Sequence, residues 1–259
     1  MPDVFKNVTS FLSANDFLIY KLTKKIITDT LNAEKFYFDA NSKTYPKKIL
    51  HHLQITDNNL PAVTDPGTLI GSLHNDVKKI LSIHEDIAVI VSTYDAICAL
   101  IGSSTYHEDE LNNVCGTCSS YRILSKEKIP MKKSNLIIQN LLSENIYIIG
   151  GSNNLEGGVL EWAKECFYGD SYLKDDEFLY ALIQSEAMES DLGANGLLFL
   201  PYLLGERMPF LDSDVRGVFF GVERFHTRKD IIRSVFEAMA FQAKLMIEEF
   251  EKNGYPVSV

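Results

Sequence analysis

Leu198-Phe199-Leu200-Pro201-Tyr202-Leu203-Leu204-Gly205-Glu206-Arg207-Met208-Pro209 is an apolar run that breaks at a proline and turns polar. Leu197 to Leu203 reads as a buried strand interrupted at Pro201, where a ladder donor is missing. For Gly205-Glu206-Arg207-Met208-Pro209 the plain reading is a tight turn, with Glu206 and Arg207 paired inside the loop. Arg216-Gly217 then leads into Val218-Phe219-Phe220-Gly221, a second apolar strand. Thr227 and Asp230 are spaced as a capping box. They open the longest helix, Thr227 to Asn253, which Gly254 stops. Its apolar positions, among them Val235, Phe236, Phe241, Met246 and Phe250, are expected to face the core.

The same mixture of periods extends toward the N-terminus. Ile87-Ala88-Val89-Ile90-Val91 is a continuous apolar run, as for a strand buried on both faces. It passes through Ser92-Thr93-Tyr94-Asp95 into a small apolar helix, Ala96 to Ile101, closed by Gly102. Before it, Ser10 to Leu22, Pro46 to Leu53 and Ser72 to Leu81 read as helices, and 60–67 as loop. After Ser103 the texture is β. Leu111 to Val114 and Ser119 to Leu124 flank Cys115-Gly116-Thr117-Cys118. Leu136 to Leu142 and Asn145 to Ile149 are further strands. Gly150-Gly151 and Gly157-Gly158 then bracket a strand-to-helix turn, and Asp175 to Ser190 is amphipathic. Tyr255 to Val259 alternates like the start of another strand.

With 259 residues, 46% hydrophobic and 23% charged, the chain is globular, and disorder, collagen and coiled coil are excluded. The length fits one large or two modest domains. Twenty-five Lys and Arg against 35 Asp and Glu give a net charge of −10. That balance opposes general affinity for nucleic acid or an anionic membrane. No apolar run reaches the roughly 18–20 residues of a membrane helix, and no signal-length core opens the chain. Four cysteines do not make a disulfide framework, so reduced thiols in the cytoplasm are expected.

Each candidate site has a plain structural reading beside it. Asp95, at the end of a strand and the mouth of a helix, can accept a proton from a substrate hydroxyl, or it can simply cap the helix. Gly116-Thr117 can hold phosphate oxygens through free N–H groups and a hydroxyl, or be a hairpin turn. Gly157 and Gly158 let backbone approach a nucleotide closely, or serve as structural turns. Neither pair matches a P-loop or a dinucleotide fingerprint. Cys115 and Cys118 form a C-x-x-C pair without a second pair, a weak metal or redox signal, and no metal ligand is assigned.

Taken together, these segments resemble the FGGY family of carbohydrate kinases. The resemblance rests on Leu198 to Pro209, Asp212, Arg216 to Val222, His226-Thr227-Arg228 and Ile232 to Ala238. It is reinforced in family order by Asp16 to Thr23 with Asp29, Leu60-Pro61, Gly71, Tyr94-Asp95 to Gly102, Gly116-Thr117, the two glycine pairs and Trp162. It implies an α/β fold of the actin-like, ribonuclease H-like ATPase type, with parts of two domains and an interdomain cleft. Residues 1–103 would be the C-terminal part of the first, sugar-binding domain, and 104–259 the N-terminal part of the second, nucleotide-binding domain.

By the same resemblance, Asp95 is the base that takes the proton from a sugar hydroxyl. Gly116-Thr117 is the phosphate-contacting turn, and Gly157 and Gly158 lie near the nucleotide. ATP and Mg²⁺ are the implied cofactors and a small sugar the substrate. The pattern is nearest to xylulose kinases, with gluconate kinases close behind and glycerol kinases further off. The alternative is a non-catalytic remnant or interaction module, and a homodimer is left open. Cys118 departs from the usual Gly-Thr-Ser turn. The family's opening phosphate hairpin and closing Gly-Gly-Gly adenine loop do not occur in these residues, so the isolated chain is expected to be inactive.

Overall fold

The computed structural model describes residues 2–105, 107–130, 134–142, 145–169 and 176–258. They form two compact units. The first is Met1–Gly102 with Gln139–Ile148; the second is Ser103–Ile138 with Ile149–Val259.

The first unit begins with helices α1 (Pro2–Lys6) and α2 (Ala14–Thr23). Ser13 and Asp16 close a reciprocal capping box on α2, and Lys24 ends it in the left-handed conformation. Strand β1 (Ile27–Asp29) leads into α3 (Thr30–Glu34), which Asp29 caps through the amides of Leu31 and Asn32. Helix α4 (Lys47–His52) precedes β2 (Ala62–Thr64), which pairs in parallel with β1. Strand β3 (Leu69–Ser72), α5 (Asn75–Leu81), β4 (Ala88–Ile90) and α6 (Asp95–Gly102) follow, and β3 and β4 pair antiparallel. Ile19, Ile70, Leu73, Val89 and Val91 form a buried cluster.

Several expectations need correction here. Part of 60–67 is strand β2 rather than loop, because Ala62 to Thr64 finds a partner far away in β1. Ser72 ends a strand, and the helix starts only at Asn75 with His74 as its cap. Strand β4 is not buried on both faces. Its only ladder partner among the described residues is β3, so Val89 is buried while Ala88 and Ile90 are exposed. On α2 the buried positions are Asp16, Ile19 and Thr23, and Phe17 and Leu18 point outward.

The second unit opens with β5 (Asn112–Cys115) and β6 (Ser119–Ser125), an antiparallel hairpin. Strands β7 (Ile137–Leu142) and β8 (Ile146–Ser152) follow in the chain, with residues 139–148 falling to the first unit and Ile149–Ser152 to the second. Helices α7 (Gly157–Tyr168) and α8 (Asp176–Met188), strands β9 (Leu198–Leu200) and β10 (Val218–Phe220), and helix α9 (Arg228–Lys252) complete the unit. Strands β9 and β10 pair antiparallel. Phe199 and Phe219, opposite each other in that ladder, stack with centroids 4.3 Å apart. Trp162 stacks on the same Phe199 at 5.7 Å. Val159, Ala163, Ile183, Ile232 and Val235 complete the cluster between α7, α8 and α9.

Thr227 caps α9 and Asp230 returns the bond, as the spacing predicts. Two places differ from expectation. Phe241 is half exposed, and the polar neighbour Gln242 takes the buried place. Gly150 and Gly151 lie within β8 rather than in a turn. A Cβ on Gly150 would stand 2.3 Å from the Tyr121 carbonyl, so side-chain-free backbone is what lets β6 and β8 meet there. At the C-terminus, the described residues of the alternating segment contribute a buried Tyr255 and one isolated bridge, Glu110 to Ser258.

Candidate active site

In the second unit, four of the singled-out residues come together where the β5–β6 turn meets the start of α7. Cys115 pairs with Ser119, leaving Gly116, Thr117 and Cys118 as an exposed turn. A helix start leaves its first amides without intrahelical partners. Here the turn's carbonyls take them. Gly157 N–H donates to Gly116 O at 3.0 Å, while Glu156 and Gly158 N–H donate to Thr117 O at 2.9 and 3.1 Å. The approach demands glycine. A Cβ on Gly157 would meet Gly116 O at 2.3 Å, and one on Gly158 would meet Leu155 Cδ1 at 2.3 Å. The amides of Gly157 and Gly158 are therefore engaged in holding the turn. The Thr117 amide and hydroxyl make no hydrogen bond among the described residues, and the residue is exposed.

A buried polar network fixes this junction. Asn153 Oδ1 accepts from Ser119 N–H at 2.7 Å, and Asn153 Nδ2 donates to Glu156 Oε2 at 2.7 Å. Tyr121 donates to the Glu156 carboxylate at 2.7 Å. Burial first, and then that bond, push the Tyr121 phenol well above its ordinary value. Glu206, 2% exposed, accepts from the amides of Asn154 (3.1 Å) and Arg207 (2.7 Å) and from Gln242 Nε2 (3.1 Å). Its burial raises its pKa against the opposing pull of those amides. The Arg207 guanidinium reaches Asn153 O at 2.7 Å, so the side-chain ion pair expected between Glu206 and Arg207 is replaced by two separate backbone anchors. Asn153, Glu156 and Tyr121 were not singled out by sequence reasoning. Their signal, a polar Asn-Asn-x-Glu run directly before Gly157, is visible only once that helix start is known.

Asp95 lies in the first unit as the first residue of α6. It is exposed, and its Oδ1 accepts from the adjacent Ala96 N–H at 2.7 Å. Its Oδ2 makes no hydrogen bond among the described residues. The residues before it are anchored. Asn15 Nδ2 donates to Thr93 O at 3.1 Å, Tyr94 OH donates to Gln139 Oε1 at 2.7 Å, and the Lys35 ammonium sits 3.3 Å over the Tyr94 ring. A solvent-facing carboxylate on a held backbone can accept a proton from a bound hydroxyl.

The model of the FGGY carbohydrate kinase N-terminal domain matches residues 1–102, and that of the C-terminal domain matches 111–259. A xylulose kinase of Staphylococcus xylosus is 27% identical over 261 residues, spanning 99% of this chain and 52% of that protein. Among solved structures, a ligand-bound xylulose kinase from Lactobacillus acidophilus superposes with a TM-score of 0.83 at 25% identity, covering 96% of this chain and 49% of that one. A gluconate kinase from the same organism gives 0.84 at 25% identity, over 98% and 51%. The chain thus spans about half the length of the curated relatives it matches. The two units are built on the actin-like ATPase fold of these kinases, and the chain belongs to the FGGY family of carbohydrate kinases.

Proposed function

We propose that this chain carries the working residues of an ATP-dependent kinase acting on a hydroxyl of a sugar or sugar acid, of the xylulose type. The observation that carries the reading is the ordered match of both family domains along one chain. The chemistry assigns Asp95 as base. Its free carboxylate oxygen takes the proton of the sugar hydroxyl while that oxygen attacks the γ-phosphorus. The bond to the ADP oxygen breaks, giving a sugar phosphate and ADP. Residues 1–103 handle the sugar and 104–259 the nucleotide. Thr117, with the turn backbone, contacts phosphate oxygens, and Gly157 and Gly158 hold that turn in place.

Among the described residues no three His, Cys, Asp or Glu side chains converge on one point. Mg²⁺ is commonly held by phosphates, waters and one or two carboxylates, and in this reading it arrives on the nucleotide. Bound there, Mg²⁺ would neutralise phosphate charge. Free cysteines fit the cytoplasm. No helix among the described residues is long and apolar enough to cross a membrane.

Gluconate-type specificity is the second reading, because the gluconate kinase superposes as well as the xylulose kinase does. Thermal stability of the chain with Mg-ATP, D-xylulose and D-gluconate tests the assignment. A ligand at a hundred times its Kd stabilises by about 2.7 kcal/mol. The sugar that shifts the midpoint decides specificity. No shift with any of the three means that the chain by itself has no working site, which is the non-catalytic reading.

A further inference from the structure

Two thiols flank the Gly116-Thr117 turn, and both face the start of α7. A Cβ placed on Gly157 would stand 3.9 Å from Cys115 Sγ. The Cys118 thiol donates to Asn154 O at 2.9 Å, three residues before that helix begins. Both residues are exposed and free. The ladder sets Cys115 opposite Ser119, and paired Cα atoms in an antiparallel ladder stand about 4.5–5.5 Å apart. Cys118 is the next residue along, and a disulfide spans a Cα separation of roughly 4.4–6.8 Å. The backbone of the turn is tied through its carbonyls to α7, whereas the Cys118 side chain is held by one thiol hydrogen bond, which is weak.

We propose that Cys115 and Cys118 are a reversible thiol–disulfide site built across this turn, with a low-molecular-weight disulfide as its oxidant. One protein thiolate attacks the small disulfide, forming a mixed disulfide and releasing one small thiol. The second protein thiol gives up its proton and attacks the protein sulfur of that bond, releasing the second small thiol. Two protein thiols are oxidised by two electrons and one disulfide is reduced to two thiols. Forming the bond takes Cys118 off Asn154 O and ties the two ends of the turn together. Any effect on phosphate binding rests on the kinase reading; the chemistry itself does not.

The test treats the folded chain with oxidised glutathione and follows intact mass and peptide maps. In the wild-type protein, the peptide holding both residues is expected to lose two hydrogens and carry no glutathione. Cys115→Ser and Cys118→Ser are each expected to retain one glutathione on the remaining thiol, because nothing displaces it. Dithiothreitol restores both free thiols. A wild-type peptide that keeps glutathione on either residue, or keeps two unmodified thiols, overturns the proposal. A far-ultraviolet circular dichroism spectrum unchanged between the three proteins shows that the turn is read in its folded setting. Mg-ATP protection of the reduced protein is measured in parallel. Its absence counts against a working nucleotide site in this chain alone and leaves the thiol result standing.

Discussion

Gly116 and Gly157 lie against each other at the turn, yet a methyl group has opposite consequences on them. On Gly157 it would press within 2.3 Å of a backbone oxygen, and on Gly116 its nearest neighbour is at an ordinary 3.7 Å. Gly157→Ala is expected to cost about 1–3 kcal/mol in urea unfolding, the usual range for overpacking. Gly116→Ala should stay within about 0.5 kcal/mol. Equal effects would mean that the turn does not dock on the helix as described. Asp95→Asn belongs to the same scale. The side chain is exposed, so its thermal midpoint should not move, while turnover of any sugar that supports it should fall about 10²–10⁴-fold. Glu206 makes a pH prediction. Its folded pKa is raised by burial, so its contribution is whole below the ordinary carboxylate value and is lost as pH rises through the folded one. Stability followed from about pH 4 to about pH 8 should therefore decline less steeply in Glu206→Gln than in the wild-type protein.

At the scale of the element, helix α9 depends on its first turn. Asp230 is buried, which alone would raise its pKa. Hydrogen bonds from the Thr227 amide and hydroxyl, from Ser190 and from Asn195 outweigh that and hold it well below the usual carboxylate range. The sign is opposite to that of Glu206. Asp230 stabilises the fold above the ordinary carboxylate pKa, and that stability drains away as pH falls through the depressed value. Asp230→Asn should cost about 1–2 kcal/mol near neutrality by chemical denaturation, with the gap closing in acid. This cap was legible in the sequence because both partners lie within four residues. The burial pattern of the same helix was less so. Phe241 looks like core by periodicity, yet Gln242 is buried, since its amide reaches Glu206 from 36 residues away. Strand β2 was missed for a related reason. Three residues between prolines carry little local signal, and their partner is β1.

For the whole molecule, the sequence read well where chemistry repeats a long ordered pattern, and poorly where function depends on which distant groups meet. Gly116, Thr117, Gly157 and Gly158 were separately visible. That the helix amides are spent on the turn's carbonyls became visible only in the fold. The clamp through Asn154 and Glu206 joins positions 52 residues apart and leaves no local trace. The division into two units has an experimental side. The single tryptophan of the chain, Trp162, lies in the second unit, stacked on Phe199. Intrinsic fluorescence excited at the indole band is therefore a spectroscopic label for that unit alone, installed by the sequence itself. Melting of the first unit would pass unseen in that signal and appear only in circular dichroism, so the offset between the two curves measures how independently the halves unfold.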